Sequence, residues 1–163
     1  MPKELPKRKN IRLQGYDYSS TGYYFITICV KEGHEVLSSI DVGARIARPS
    51  KICIAVESAI QKIGEKYETV ILDKYVIMPN HIHMILVLKS TDNNGRAMRA
   101  PTISTIINQF KGYVTKQIGF SIWQKLFHDH IIRDEADYRR ICQYIDENPM
   151  RWTEDKYYDA HTV

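Results

Sequence analysis

The apolar and polar positions fall into runs of changing period. Tyr23 to Val30, YYFITICV, is continuous, β-branched and aromatic, which predicts a buried strand. From Lys51 the spacing lengthens. Ile52, Val56, Ala59, Ile63 and Tyr67 recur at helical intervals and predict an amphipathic helix. Thr69 to Met78 reads as a strand, Pro79-Asn80 breaks it, and His81 to Leu88 reads as its hairpin partner. Ile103, Ile106, Ile107, Phe110, Val114 and Ile118 then form one stripe of a second helix. Ser121 to Ile132 is mixed and predicts only a short strand near its end. Asp134 suits the N-cap of a third helix, which runs to Asn148 and stops at Pro149. Lys31 to Ser50 reads as a turn and a long loop, Lys89 to Pro101 as a polar loop, and the charged tail after Trp152 is expected to fray.

Strand, helix, strand, strand, helix, strand, helix is the order of an α+β protein. It predicts a ferredoxin-like antiparallel sheet with helices packed against it. The 163 residues suit a single domain, with a basic arm at 1–20, the folded body at 21–152 and a tail at 153–163. No stretch approaches the roughly 20 apolar residues of a membrane span, and no apolar signal core follows the basic start. A cytoplasmic protein with no membrane partner is therefore expected. Cys29, Cys53 and Cys142 are odd in number and widely spaced, which argues against a disulfide framework. The net charge of +4 is compatible with a polyanionic partner without requiring one.

Candidate chemistry begins at Pro79-Asn80-His81-Ile82-His83. Side chains alternate on a strand, so His81 and His83 share a face while Ile82 enters the opposite layer. Two imidazoles one repeat apart can bind one metal ion, although a bare triplet is more often a pair of satisfied core or surface histidines. A second triplet, His128-Asp129-His130, has an acid at its centre and suits an exposed strand end or loop. On the third helix, Tyr138, Ile141, Cys142 and Ile145 cluster on the buried side, with Tyr138 read as core. Tyr144 falls on the flank, and Asn148, four residues on, stacks beside it.

Together, Tyr75-Val-Ile-Met-Pro-Asn-His81-Ile-His83 and Tyr144-Ile-Asp-Glu-Asn148-Pro resemble the HUH endonuclease superfamily. More narrowly, they resemble its single-tyrosine transposases of the REP-associated branch. Trp123-Gln124 and His128-Asp129-His130-Ile-Ile-Arg133 are similar to that branch as well, so the resemblance spans about Tyr23 to Trp152. It implies a nuclease and strand transferase acting on single-stranded DNA near hairpins. His81 and His83 would hold a divalent cation, magnesium or manganese, with Asn148 as third ligand where insertion-sequence relatives carry glutamine. Tyr144 would be the nucleophile, leaving a 5′-phosphotyrosine. Those relatives join the histidines of one chain to the tyrosine of another, whereas the REP-associated branch includes monomers. A homodimer therefore stays open.

Phosphate contacts are expected from Lys3, Lys7, Arg8, Lys9 and Arg12 of the arm and from Lys111 and Lys116 of the second helix. Two similar loop segments supply Arg45 and Arg48, and Arg96 and Arg99. Tyr16 and Tyr18 suit either base stacking or packing. The alternative is a hairpin DNA- or RNA-binding module without transposition, but it leaves the histidines, Tyr144 and Asn148 without a task. A zinc hydrolase lacks a carboxylate ligand at motif spacing.

Overall fold

A computed structural model of the chain describes residues 14–41, 46–90 and 101–158. Its main sheet has four antiparallel strands, β1 (Gly22–Cys29), β4 (Val70–Ile77), β5 (His81–Leu88) and β6 (His128–Ile132), in the order β4-β5-β1-β6. Helices α1 (Lys51–Lys66) and α2 (Ile103–Ile118) follow β1 and β5, and α3 (Glu135–Glu147) follows β6. This is the expected ferredoxin-like α+β arrangement in a single domain.

The period of two along the strands sorts the residues into two cores. Tyr24, Ile26 and Ile28 of β1 and Ile82, Met84 and Leu86 of β5 face α1 and α2, where they meet Val56, Ile60, Ile106, Ile107 and Phe110. The intervening residues face α3, and there Ile85 packs with Ile132, Ile141 and Ile145. Caps fix the helix ends. Ser50, Thr102 and Asp134 each accept a backbone N–H three residues on, and Gly119 closes α2 at φ 88°, a conformation that favours glycine.

Helix α3 is also pinned from the side. A bulge between Leu72 and Lys74 leaves Asp73 outside the regular pairing of β4. The Tyr138 hydroxyl donates to Asp73 Oδ2 at 2.7 Å, and Lys74 Nζ meets Asp146 at 2.9 Å. Tyr138 is thus half-buried, its ring edge-on to Tyr23 at 5.5 Å, rather than wholly in the core as its helical position predicts.

Two expectations need correction. The segment 31–50 is not simply a loop, because β2 (Ser38–Asp41) and β3 (Ile46–Pro49) pair antiparallel within it. Four-residue strands containing serines and a proline give no periodic signal. Lys111, expected on phosphate, is buried beneath the 124–126 segment. Its Nζ donates to the carbonyls of Gln124 at 2.9 Å, Lys125 at 3.4 Å and Leu126 at 3.1 Å. The stripe of α2 continues through this position, and the long side chain carries its ammonium to these three carbonyls. Burial pushes that ammonium down to about 8.

Lys111→Met is therefore expected to lower the unfolding free energy in urea by about 2–3 kcal/mol, since three charge-assisted hydrogen bonds from a buried ammonium are lost. Unchanged stability with weakened DNA binding would instead return Lys111 to the phosphate contacts.

Candidate metal centre and tyrosine

Strand β5 presents His81 and His83 on the α3 face, opposite Cys29 and Thr27 of β1. Both imidazoles are closed off from solvent, at 0 % and 1 % exposure. Their rings lie 4.5 Å apart, with the two Nε2 atoms separated by 3.0 Å. The outer nitrogens are held as well, His81 Nδ1 by Asn80 Oδ1 and His83 Nδ1 by Thr27 Oγ1, each at 2.8 Å.

Burial pushes His81 down to about 3, and the nearby Lys156 ammonium adds to the effect. His83 is pushed down to about 2, first by burial and then by His81, with Asp155 opposing. Both rings are neutral at neutral pH, the form in which imidazole binds a metal. Two nitrogens bound about 2.1 Å from one ion at right angles would lie about 3.0 Å apart. The observed separation fits that arrangement.

The third corner comes from beyond α3. A 3-10 turn at Trp152–Glu154 leads into Asp155. One nitrogen from each histidine and a carboxylate oxygen of Asp155 all lie within 4.8 Å of one another. Asp155 Oδ2 accepts from the Tyr144 hydroxyl at 3.1 Å and from Asn148 Nδ2 at 2.7 Å, while Oδ1 accepts the Tyr157 N–H at 2.7 Å. Tyr144 stands on the flank of α3, 37 % exposed, with its ring 5.1 Å from that of His83. Burial, with the Asp155 carboxylate adding, pushes its phenol up to about 12. Asn148 Oδ1 is buried without a hydrogen-bond partner, so an acceptor remains free for a cation. A cleft of about 200 Å³ opens onto Tyr144, Asn148 and Asp155.

The structure places His81 and His83 beside Tyr144, with Asn148 joined to the same Asp155 carboxylate. Asp155, Asn80 and Thr27 were not foreseen. The tail does not fray over 153–158. Trp152 is buried, and the Tyr157 ring lies 4.5 Å from His81. Its aromatics, Trp152, Tyr157 and Tyr158, were the overlooked signal, and they bring in the carboxylate that motif spacing lacks.

Other candidates lie elsewhere. His130 Nε2 meets Asp137 at 2.7 Å on the edge strand β6, and His128 is exposed at its start. Lys116 is exposed on α2, across the sheet from the histidines. So is a groove of about 300 Å³ between α1 and α2, which holds none of these groups. Tyr16 and Tyr18 pack edge-on to each other at 5.1 Å, and the Tyr16 hydroxyl meets that of Tyr24 at 3.2 Å. Lys3, Lys7, Arg8, Lys9, Arg12, Arg45, Arg96 and Arg99 lie outside the described residues, as does the side chain of Arg48 on β3.

Known proteins give the constellation its context. No protein-family model matches the chain. An uncharacterized protein of Haemophilus influenzae is 33 % identical over 174 residues, covering 93 % of each chain. A candidate REP-associated tyrosine transposase of the same organism is 28 % identical over 145 residues, 83 % of this chain and 74 % of that one. The REP-associated tyrosine transposase of Escherichia coli is 31 % identical over 81 residues, 49 % of this chain and 44 % of that one. The chain is thus similar in sequence to REP-associated tyrosine transposases. A solved REP-associated tyrosine transposase, bound to a REP hairpin, shares its fold with a TM-score of 0.62 at 24 % identity, over 86 % of this chain and 74 % of that one. That similarity and the His81, His83 and Asp155 cluster together support a metal-dependent nuclease activity. No described helix is long and apolar enough to cross a membrane.

Folded-state suppression of histidine protonation has a measurable consequence. Below about pH 6.5 the unfolded chain takes up protons that the two folded rings refuse, so stability falls with pH. Between pH 7 and 5 each ring is expected to remove about 2 kcal/mol of unfolding free energy. His83→Gln should flatten that slope in metal-free urea titrations. An equal slope in both proteins would mean that the rings are accessible to protons.

Proposed function

We propose that this protein nicks and rejoins single-stranded DNA beside a hairpin through covalent catalysis at Tyr144. The observation that carries the reading is the Tyr144 hydroxyl, hydrogen-bonded at 3.1 Å to the carboxylate that shares a cluster with His81 and His83. The hairpin in the solved relative and the names of the curated ones support the choice of substrate.

His81, His83 and Asp155 would hold a divalent cation, and Asn148, whose amide already grips Asp155, would add its free Oδ1 as a further donor. Two nitrogen donors favour manganese over magnesium. At that site a cation would supply Lewis-acid polarisation of the scissile phosphate and stabilisation of its developing charge.

Tyr144 Oη forms a bond to phosphorus as the bond to the 3′ oxygen breaks, giving a 5′-phosphotyrosine and a 3′-hydroxyl. Its proton has a carboxylate acceptor in Asp155, and the leaving oxygen gains one in turn. A phenol pushed up to about 12 by burial and by Asp155 keeps that proton before substrate binds. Phosphodiester energy is kept in the adduct, so transfer to another 3′-hydroxyl reverses the step without ATP. Because α3 and β5 belong to one chain, a monomer suffices. Phosphate contacts beyond the centre fall to Lys3, Lys7, Arg8, Lys9, Arg12, Arg45, Arg48, Arg96, Arg99 and the exposed Lys116.

Labelled single-stranded hairpin oligonucleotides with manganese should give a covalent adduct on a denaturing gel. The adduct should fall by a factor on the order of a thousand or more with Tyr144→Phe, His81→Ala or chelator. It should survive Tyr138→Phe. A mixture of Tyr144→Phe and His81→Ala proteins should stay inactive, because each chain builds its own site. Activity restored by mixing would mean shared sites in a dimer. Cleavage that persists in Tyr144→Phe would indicate water as nucleophile, and tight binding without any cleavage would indicate a recognition module.

A further inference from the structure

The hydrogen bonds around the two histidines fix where their protons sit, and the two rings are not equivalent. Asn80 is 3 % exposed. Its Nδ2 donates to the carbonyls of Tyr157 at 2.8 Å and Gly33 at 3.2 Å, which uses both of its N–H bonds. The side of Asn80 turned to His81 is consequently the oxygen. An oxygen acceptor 2.8 Å from Nδ1 requires Nδ1–H, so neutral His81 carries a bare Nε2. That lone pair faces His83 Nε2 at 3.0 Å. Two lone pairs that close repel, so without a cation His83 keeps its proton on Nε2 and donates it to His81. His83 Nδ1 is then bare and accepts from the Thr27 hydroxyl at 2.8 Å.

A cation ligated through both Nε2 atoms needs the other arrangement at His83. The proton must leave Nε2 and appear on Nδ1, where the Thr27 oxygen accepts it. Only a group able both to donate and to accept can serve the two states, and a hydroxyl does so by rotating. Asn80 Oδ1, which accepts in both states, locks His81 instead.

We propose that Thr27 is a positioning residue for metal loading, through which His83 exchanges its Nε2–H tautomer for the Nδ1–H tautomer while His81 stays fixed by Asn80. The exchange balances within the ring, one N–H bond breaking at Nε2 as the other forms at Nδ1, with no net proton release. The inference rests on the metal centre proposed above.

Long-range 15N–1H spectra of the full-length protein report each ring's tautomer directly. Without metal, His81 should appear as Nδ1–H and His83 as Nε2–H. Added zinc, a diamagnetic probe, should convert His83 to Nδ1–H and leave the His81 tautomer unchanged. His83 found as Nδ1–H before metal, or His81 as Nε2–H, would overturn the proposal while leaving the metal centre intact. No response of either ring to zinc or manganese would overturn the metal centre and the proposal with it.

Variants give an independent readout. Thr27→Val, checked for folding by its melting curve, should bind manganese about 10–100-fold more weakly, and Thr27→Ser should restore binding. Equal affinity in a folded Thr27→Val protein would overturn the role of the hydroxyl.

Discussion

A strand repeat of two leaves β5 no choice about its histidines. With Ile82 and Met84 committed to the core beneath α1 and α2, His81 and His83 must emerge together on the other face, where Tyr144, Trp152 and Tyr157 cover them. Two imidazoles buried side by side are costly unless every nitrogen is satisfied. The surroundings answer that cost, with Asn80 and Thr27 on the outer nitrogens and the inner pair 3.0 Å apart. Apolar packing on one face thus dictates a polar, metal-ready arrangement on the other.

Helix α3 is placed to serve the same pair. The Asp73 bulge and the Lys74–Asp146 ion pair hold it against β4, while Ile141 and Ile145 seat it on Ile85. That orientation rolls Tyr144 onto the helix flank beside His83 and puts Asn148 one turn further on. The chain then returns through Trp152, and Asp155 connects the tyrosine to the histidines. A buried tryptophan and a phenol over His81 hold this return in place. The centre is therefore distributed over a hairpin strand, a helix end and a short tail, each secured by its own packing.

Much of this was legible in the sequence, because the relevant residues sit on regular elements. Periodicity placed β1, β5 and all three helices, and on α3 it separated Tyr144 from the buried side. Where no period exists, the sequence was silent. The β2–β3 hairpin is too short to show alternation. Asp155 resembles any other acid in a charged tail until Trp152 and Tyr157 are seen to pack. Lys111 misled for a related reason. Charge suggests a surface, but a long side chain on the buried side of α2 can reach three carbonyls. Hydrogen-bond partners such as Thr27 and Asn80 depend on register between strands, which hydropathy alone does not reveal.

The central claim is that His81, His83 and Asp155 form one cation site beneath Tyr144. Anomalous diffraction from crystals soaked in manganese tests it most directly. A single strong peak is expected at bonding distance from both Nε2 atoms and the Asp155 carboxylate, next to the Tyr144 hydroxyl. Manganese bound only elsewhere, with the two imidazoles still hydrogen-bonded to each other, would contradict it.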